Sequence, residues 1–391
     1  MTEILTSVDD FGEQFIQAEK FCRLSAARVM FADYALIVRD FAPRFGKRES
    51  PIDDAKRAAI DDFLIDHSGV ISIPQARQTV TNTRIPIERG HKLGYRLPYY
   101  GRAAVMQVSD PPRLLDIKGC GVQPGGTPVK ESHSTGLLLA SDAIHEFLFA
   151  GLCAAAFQHA RASFAVLPCY AVIDLGFHAV AWRSHRVERA VMLVRRAHRR
   201  PRTLWDDDEP PSDTLVRVMR DMALLLGRYG IASTAGDYRL DRHSDGLVLH
   251  ARGENFVFKG EEAARVAAAT RYSGGTLPID AINFQCTAGQ PQLFDFGSFH
   301  SRSEFSAPIF IASSAAEVDL IGEFVHPDDP RFPCADICRI PKRANRLASK
   351  WAGQYARGEI DGASIGGEIE QFVRQCFRKL QERQRLCRRD D

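Results

Sequence analysis

Apolar positions along the chain change their spacing several times, and those changes predict its elements. Residues 11–42 and 50–66 carry apolar residues at helical intervals. The second stretch opens on Ser50-Pro51, an N-cap followed by proline at the first helical position. Between 68 and 130 the pattern shortens. Runs such as RAAVMQV and RLLDIKG alternate with Gly and Pro, which predicts a small antiparallel sheet. A helix is expected at about 138–160, where Ile144, Leu148 and Leu152 recur one turn apart. The runs FAVLPCYAVIDL, HAVAW and AVMLV then read as further strands. Ser212 or Asp213 can cap a helix reaching about 228, GLVLHA and NFVFKG form a hairpin, and two helices at about 341–357 and 365–388 finish the chain.

The order is a helical extension (1–85), a β-rich segment holding one apolar helix (86–205), then a mainly helical half (206–391). That is the outline of an α+β, bilobal, protein-kinase-like fold. It has a β-rich N-lobe, a helical C-lobe and an N-terminal helical extension.

Composition narrows the class. The chain has 391 residues, 45% hydrophobic and 26% charged, as in a globular protein of two or more domains. A formal charge of +2 gives no overall electrostatic case for nucleic acid or a membrane as partner. Nine cysteines include no CxxC pair. Cys334 and Cys338 are closest, and no second pair completes a four-ligand zinc set. Reduced thiols in the cytoplasm are the expectation. The opening MTEILTSVDDFGEQF is acidic and lacks the apolar core of a signal or transit peptide. The most apolar stretch, GLLLASDAIHEFLFAGLCAAAFQHA, contains Asp142, His145 and Glu146. It therefore reads as a buried helix of a soluble protein rather than a membrane span.

Candidate chemistry starts at DIKGCG. Lys118 ends a β-type run before a Gly-x-Gly turn, and Glu146 lies on the following apolar helix. A strand lysine that contacts nucleotide phosphates and is held by a helix glutamate is a kinase device. A buried glutamate also needs a cation, because an unpaired carboxylate in an apolar setting is costly. Farther on, Asn283 precedes the Asp-Phe-Gly of FDFGSF, with Asp295 twelve positions later. Two such oxygens suit magnesium, which fills its remaining positions with water and phosphate. The run RRAHRRPR at 195–202, followed by DDDEPPSD at 206–213, is either a solvated loop or a cationic reach toward phosphates.

Several of these stretches together resemble the selenoprotein-O family of kinase-fold enzymes, once called pseudokinases. GHKLGYRLPYYGRA is similar to that family's Gly-His-Gln-Phe-Gly segment running into Gly-Asp-Gly-Arg-Ala. DIKGCG resembles its Leu-Lys-Gly-Ala-Gly, and GLLLASDAIHEFL its Gly-Arg-Ala segment leading to Arg-Glu-Phe-Leu. AVMLVR with the arginines after it resembles Ala-Val-Leu-Thr-Arg, where a second arginine follows seven positions on. FDFGSF stands where the family has Asp-Tyr-Gly-Pro-Phe. The likeness spans about residues 90–300.

The resemblance implies transfer of AMP from ATP to a hydroxyl, with pyrophosphate leaving and Mg2+ (or Mn2+) as the metal. It assigns Gly101 and Arg102 to the nucleotide loop, Lys118 and Glu146 to the lysine–glutamate pair, and Gly136 to close approach to the nucleotide. Arg195 and Arg202 would hold the terminal phosphates; Asn283 and Asp295 would hold the metal. Where the family places its catalytic aspartate, this chain has Ile282, so Asp280 is the nearest candidate base. The acceptor is a protein, a peptide or a small molecule. Three other chemistries fit the same residues: phosphotransfer, adenylation of a carboxylate before amide formation, and nucleotide binding without catalysis.

Overall fold

The computed structural model describes residues 4–11, 16–46, 51–77, 79–80, 83–96, 101–123, 135–180, 185–198 and 340–387, and shorter stretches between 222 and 301. The chain forms two compact units. The first takes Met1–Phe147, Leu167–Arg199 and Leu347–Ile369; the second takes Leu148–Val166, Arg200–Arg346 and Glu370–Asp391.

Through the first two hundred residues the elements run β1 (Gln17–Leu24), β2 (Arg28–Ala32), α1 (Tyr34–Asp40), α2 (Ala42–Phe45), α3 (Asp54–Ser68), β3 (Val70–Ser72), α4 (Ile73–Ala76), β4 (Thr79–Val80), β5 (Thr83–Arg84), β6 (Ile87–Arg96), β7 (Ala103–Ser109), β8 (Pro112–Lys118), β9 (Leu138–Leu139), α5 (Ala140–His159), β10 (Ala165–Val166), β11 (Cys169–Val180) and β12 (Val187–Arg196). Nine of these strands make one sheet in the order β2-β11-β12-β8-β7-β6-β1-β3, with β9 added to β12. Its pairings are antiparallel.

Alternation along β7 places the sheet between two apolar layers. Ala104, Met106 and Val108 join a large core with Phe21, Phe41, Phe63 and Ile117, whereas Ala103 and Val105 pack with Leu5, Phe11 and Leu114. The sheet expected from RAAVMQV and RLLDIKG is therefore present and buried on both sides. FAVLPCYAVIDL and HAVAW, read as separate strands, join from Cys169 into the single strand β11.

The expected helix over 11–42 is a correction. Among the described residues of that stretch only Tyr34–Asp40 and Ala42, which opens α2, are α-helical, and QAEKFCRL and RVMFA are strands. Long-range pairing outweighs local helical spacing: β1 lies between β6 and β3, and Phe21 is fully buried. The next helix is α3, and its N-cap is Asp53, which accepts from Lys56 N at 2.8 Å. Ser50 lies outside the described residues.

The second unit continues with β13 (Ile231–Ser233), β14 (Arg239–His243), β15 (Gly246–Ala251), β16 (Glu254–Lys259), β17 (Asn283–Thr287), β18 (Gln290–Phe294) and β19 (Phe299–Ser301). β14, β15 and β16 form a meander that contains the expected hairpin, β18 pairs with β10 on one side and β17 on the other, and β13 pairs with β19. The helix expected up to 228 falls almost wholly outside the described residues; Met222, Leu225 and Leu226 are helical and buried. The closing helices are α6 (Ala344–Ala356) and α7 (Gly362–Cys387), parts of which belong to each unit.

Candidate functional site

In the first unit, β8 delivers Lys118 to the middle of the sheet, where it faces Ala103 of β7 and Leu193 of β12. Its Nζ lies 2.6 Å from Glu146 Oε1, and the two side chains are 8% and 2% exposed. Burial of α5 on more than one face accounts for the second figure: Ile144, Leu148 and Leu152, the one-turn repeats of the sequence, are fully buried, and so are Ala143 and Phe149. At this depth neither charge is tolerated without the other, and removing one partner of such a pair costs about 3–5 kcal/mol. Glu146 Oε2 is buried and has no hydrogen-bond partner among the described residues.

The start of α5 is fixed from β12. Glu188 accepts from Ser141 N at 3.0 Å, and Arg186, paired with Glu188, donates to Ser141 Oγ at 3.1 Å. A carboxylate at a helix N-terminus satisfies a free N–H and opposes the positive end of the dipole. Glu146, less than two turns on, inherits that anchorage.

Three glycine-bearing turns surround the end of β8. Gly119 N and Cys120 N donate to Arg102 O at 2.8 and 3.2 Å, Gly121 N to Gly136 O at 2.9 Å, and Arg102 Nη1 to Leu137 O at 3.1 Å. Gly136 has φ +65°, and a Cβ there would stand 2.2 Å from Val122 N. The neighbouring backbone thus requires this glycine. Beside Gly101 (φ +44°) the corresponding space is open for 4 Å.

Asp142 lies one turn before Glu146 and was not singled out by the sequence; the i, i+4 spacing of two acids on a helix beside Lys118 is the signal that could have found it. Its carboxyl is exposed yet closely surrounded by protein. Desolvation raises its pKa, Arg102 and Lys118 lower it, and the neighbouring carboxylates of Glu146 and Glu188 raise it further, with a net upward shift.

Arg195 faces Asp116 across β12 and β8, and its Nε lies 2.6 Å from Asp116 Oδ1; both side chains are essentially buried. Arg196 is buried against Asp40 of α1 and Tyr170. The two arginines that open the basic run are therefore engaged inside the first unit. Arg199, Arg200 and Arg202 lie outside the described residues.

In the second unit, the register of β17 and β18 sets Asn283 opposite Phe294. Asp295 follows directly, so the twelve-residue interval closes through a hairpin. Asp295 has φ 67° and ψ 70°, in the left-handed region. That conformation is uncommon for a residue with a Cβ, though Asp tolerates it better than most. Asp280 and Ile282 lie outside the described residues, and among the described residues no three metal-ligand side chains cluster.

No protein-family model matches the chain, and no curated protein matches it. Among solved structures it is similar to the Rio2 kinase–ADP/Mg2+–phosphoaspartate complex from Chaetomium thermophilum. That likeness is at 11% identity over 71% of this chain and 68% of that one, with a TM-score of 0.24. An overlay at that score is too loose to carry a functional conclusion.

Proposed function

We propose that the chain is a nucleotide-dependent transferase with a kinase-like site, and that it moves AMP from ATP to a hydroxyl. The observation that carries the reading is the Lys118–Glu146 pair: a strand lysine and a helix glutamate, 2.6 Å apart and both withdrawn from water. Kinase-fold enzymes hold their phosphate-binding lysine with such a pair. Three further features support it. Gly101 leaves open space at the adjoining turn. The β17–β18 hairpin pairs Asn283 with Phe294, the residue directly before Asp295, which brings the two ends of the twelve-residue interval close along the backbone. Asp295 keeps a left-handed backbone, a conformation that concentrates at functional positions.

In this reading Lys118 binds phosphate oxygens, Glu146 keeps the ammonium charged and aimed, and Asn283 and Asp295 would hold Mg2+. The metal, when bound, supplies positive charge against the charge that develops on the phosphates. The acceptor oxygen bonds to the α-phosphorus as the bond from that phosphorus to the bridging oxygen breaks. Pyrophosphate leaves with the electron pair, and the hydroxyl proton passes to a base, for which Asp280 is the candidate.

AMP as the transferred group rests on the family resemblance. One observation favours phosphotransfer instead: Arg195, expected to neutralise departing pyrophosphate, is tied to Asp116. ATP labelled at the α or the γ position separates the two. Label from α on the chain itself or on a hydroxyl-bearing peptide supports AMP transfer, and label from γ only replaces it with phosphotransfer. An Asp295→Ala variant as active as wild type would remove the site altogether.

A further inference from the structure

One buried charge in the first unit is left unused by the reaction just described. Arg96 ends β6 with its side chain fully buried. Gly94, two residues earlier, makes room for the Phe21 ring and Met106: a Cβ there would lie 2.6 Å from Met106 Sδ and 2.9 Å from Phe21 Cε2. The Arg96 guanidinium lies over the ring, 5.3 Å from its centroid, with Nε 2.6 Å from Glu19 Oε2. Glu19 and Phe21 both come from β1. With ring and carboxylate holding one side, the remaining donors reach three carbonyl oxygens: Nη1 to Gly101 at 3.1 Å and to Gly121 at 3.0 Å, and Nη2 to Val122 at 3.4 Å. Gly101 belongs to the open turn before β7, and Gly121 and Val122 follow Lys118.

We propose that Arg96 is a positioning residue of the nucleotide site, holding the Gly101–Arg102 turn and the 119–122 turn in one arrangement so that both present to phosphate together. The inference rests on the nucleotide reading above. It extends the site to β1, because Glu19 and Phe21 set the plane of the guanidinium. A planar fork suits this task and an ammonium does not, since one group must serve carbonyls on two separate turns.

The test uses the full chain, with calorimetric titration of Mg·ATP and thermal unfolding in parallel. Arg96→Lys should weaken Mg·ATP about tenfold, the loss expected when binding groups are displaced by a fraction of an ångström. In an Arg102→Ala background the same change should cost much less, because the group it positions is gone. Equal losses in both backgrounds would reveal a general structural role and overturn the proposal, as would wild-type affinity in Arg96→Lys. Should Arg96→Lys not fold, Glu19→Gln decides. It keeps the shape and an acceptor, and should weaken binding on the order of threefold as a charge-assisted hydrogen bond becomes neutral; unchanged affinity overturns the proposal. Absence of Mg·ATP binding by the wild type would instead sink the nucleotide reading, and the inference with it.

Discussion

Lys118 and Glu146 exclude water from each other's charge, and that sets the cost of mutating either. Lys118→Ala leaves a buried carboxylate without its cation, so it should destabilise the protein by about 3–5 kcal/mol as well as stop transfer. Its depth in the sheet makes Lys118 part of the fold as well as of the site. The double change Lys118→Met with Glu146→Gln removes both charges. It should recover much of the melting temperature but none of the transfer, read by calorimetry and by labelled ATP. Asp295 gives the converse case. Alanine in its left-handed conformation should cost about 1 kcal/mol, while glycine is free of that penalty. Asp295→Gly should therefore melt above Asp295→Ala in thermal unfolding, with transfer lost in both.

At the scale of elements, Asp174 on β11 joins four pieces of the first unit. Arg189 of β12 donates to it at 2.7 Å, Arg28 of β2 at 3.1 Å, Tyr355 of α6 at 2.8 Å and Gly176 N at 3.0 Å. Burial alone would raise its pKa. The Arg189 hydrogen bond, the Gly176 amide, the Arg189 charge and Tyr355 outweigh that and hold it below its ordinary 3.8. The folded state thus binds fewer protons than the unfolded one. Asp174 contributes stability above 3.8 that is lost as pH falls through its lower folded value. Asp174→Asn should lower stability at pH 7 and flatten its decline below pH 3.8 in acid titrations followed by circular dichroism. β1 makes a second case. Phe21→Ala should cost about 3–5 kcal/mol in denaturant unfolding, since the ring fills core between two strands. A peripheral helix at that place would lose far less.

Over the whole molecule, what the sequence disclosed depended on how locally each feature is specified. β7, β8 and α5 carry their periodicity within ten or twenty residues, so the lysine–glutamate pair was legible from strand, turn and helix alone. β1 and β2 were not, because partners up to about 140 residues away hold them in the sheet. The engagement of Arg195 and Arg196 was hidden for the same reason. Asp116 and Asp40 lie 79 and 156 residues away, and nothing in RRAHRRPR names them. The first unit also draws on Leu347–Ile369, which includes Tyr355. A fragment ending at 205, where composition invites a cut, lacks that stretch. It should express as an aggregating or partly unfolded species, and adding 347–369 in trans should raise its soluble fraction in size-exclusion chromatography.

The contact of Gly136 with the backbone at 121–122 has a mechanical consequence. A Cβ would be 2.2 Å from Val122 N, so the two segments touch without any side chain between them, and Gly121 N is bonded to Gly136 O. Neither segment can shift without dragging the other. Gly136 leads within four residues into α5, and Gly121 trails Lys118 by three. Displacement of the turn after β8 is therefore transmitted along backbone to the start of the helix, and lysine and glutamate travel as one piece. The pair behaves as a rigid linkage rather than a latch, with its length set by main-chain packing some distance from either charge.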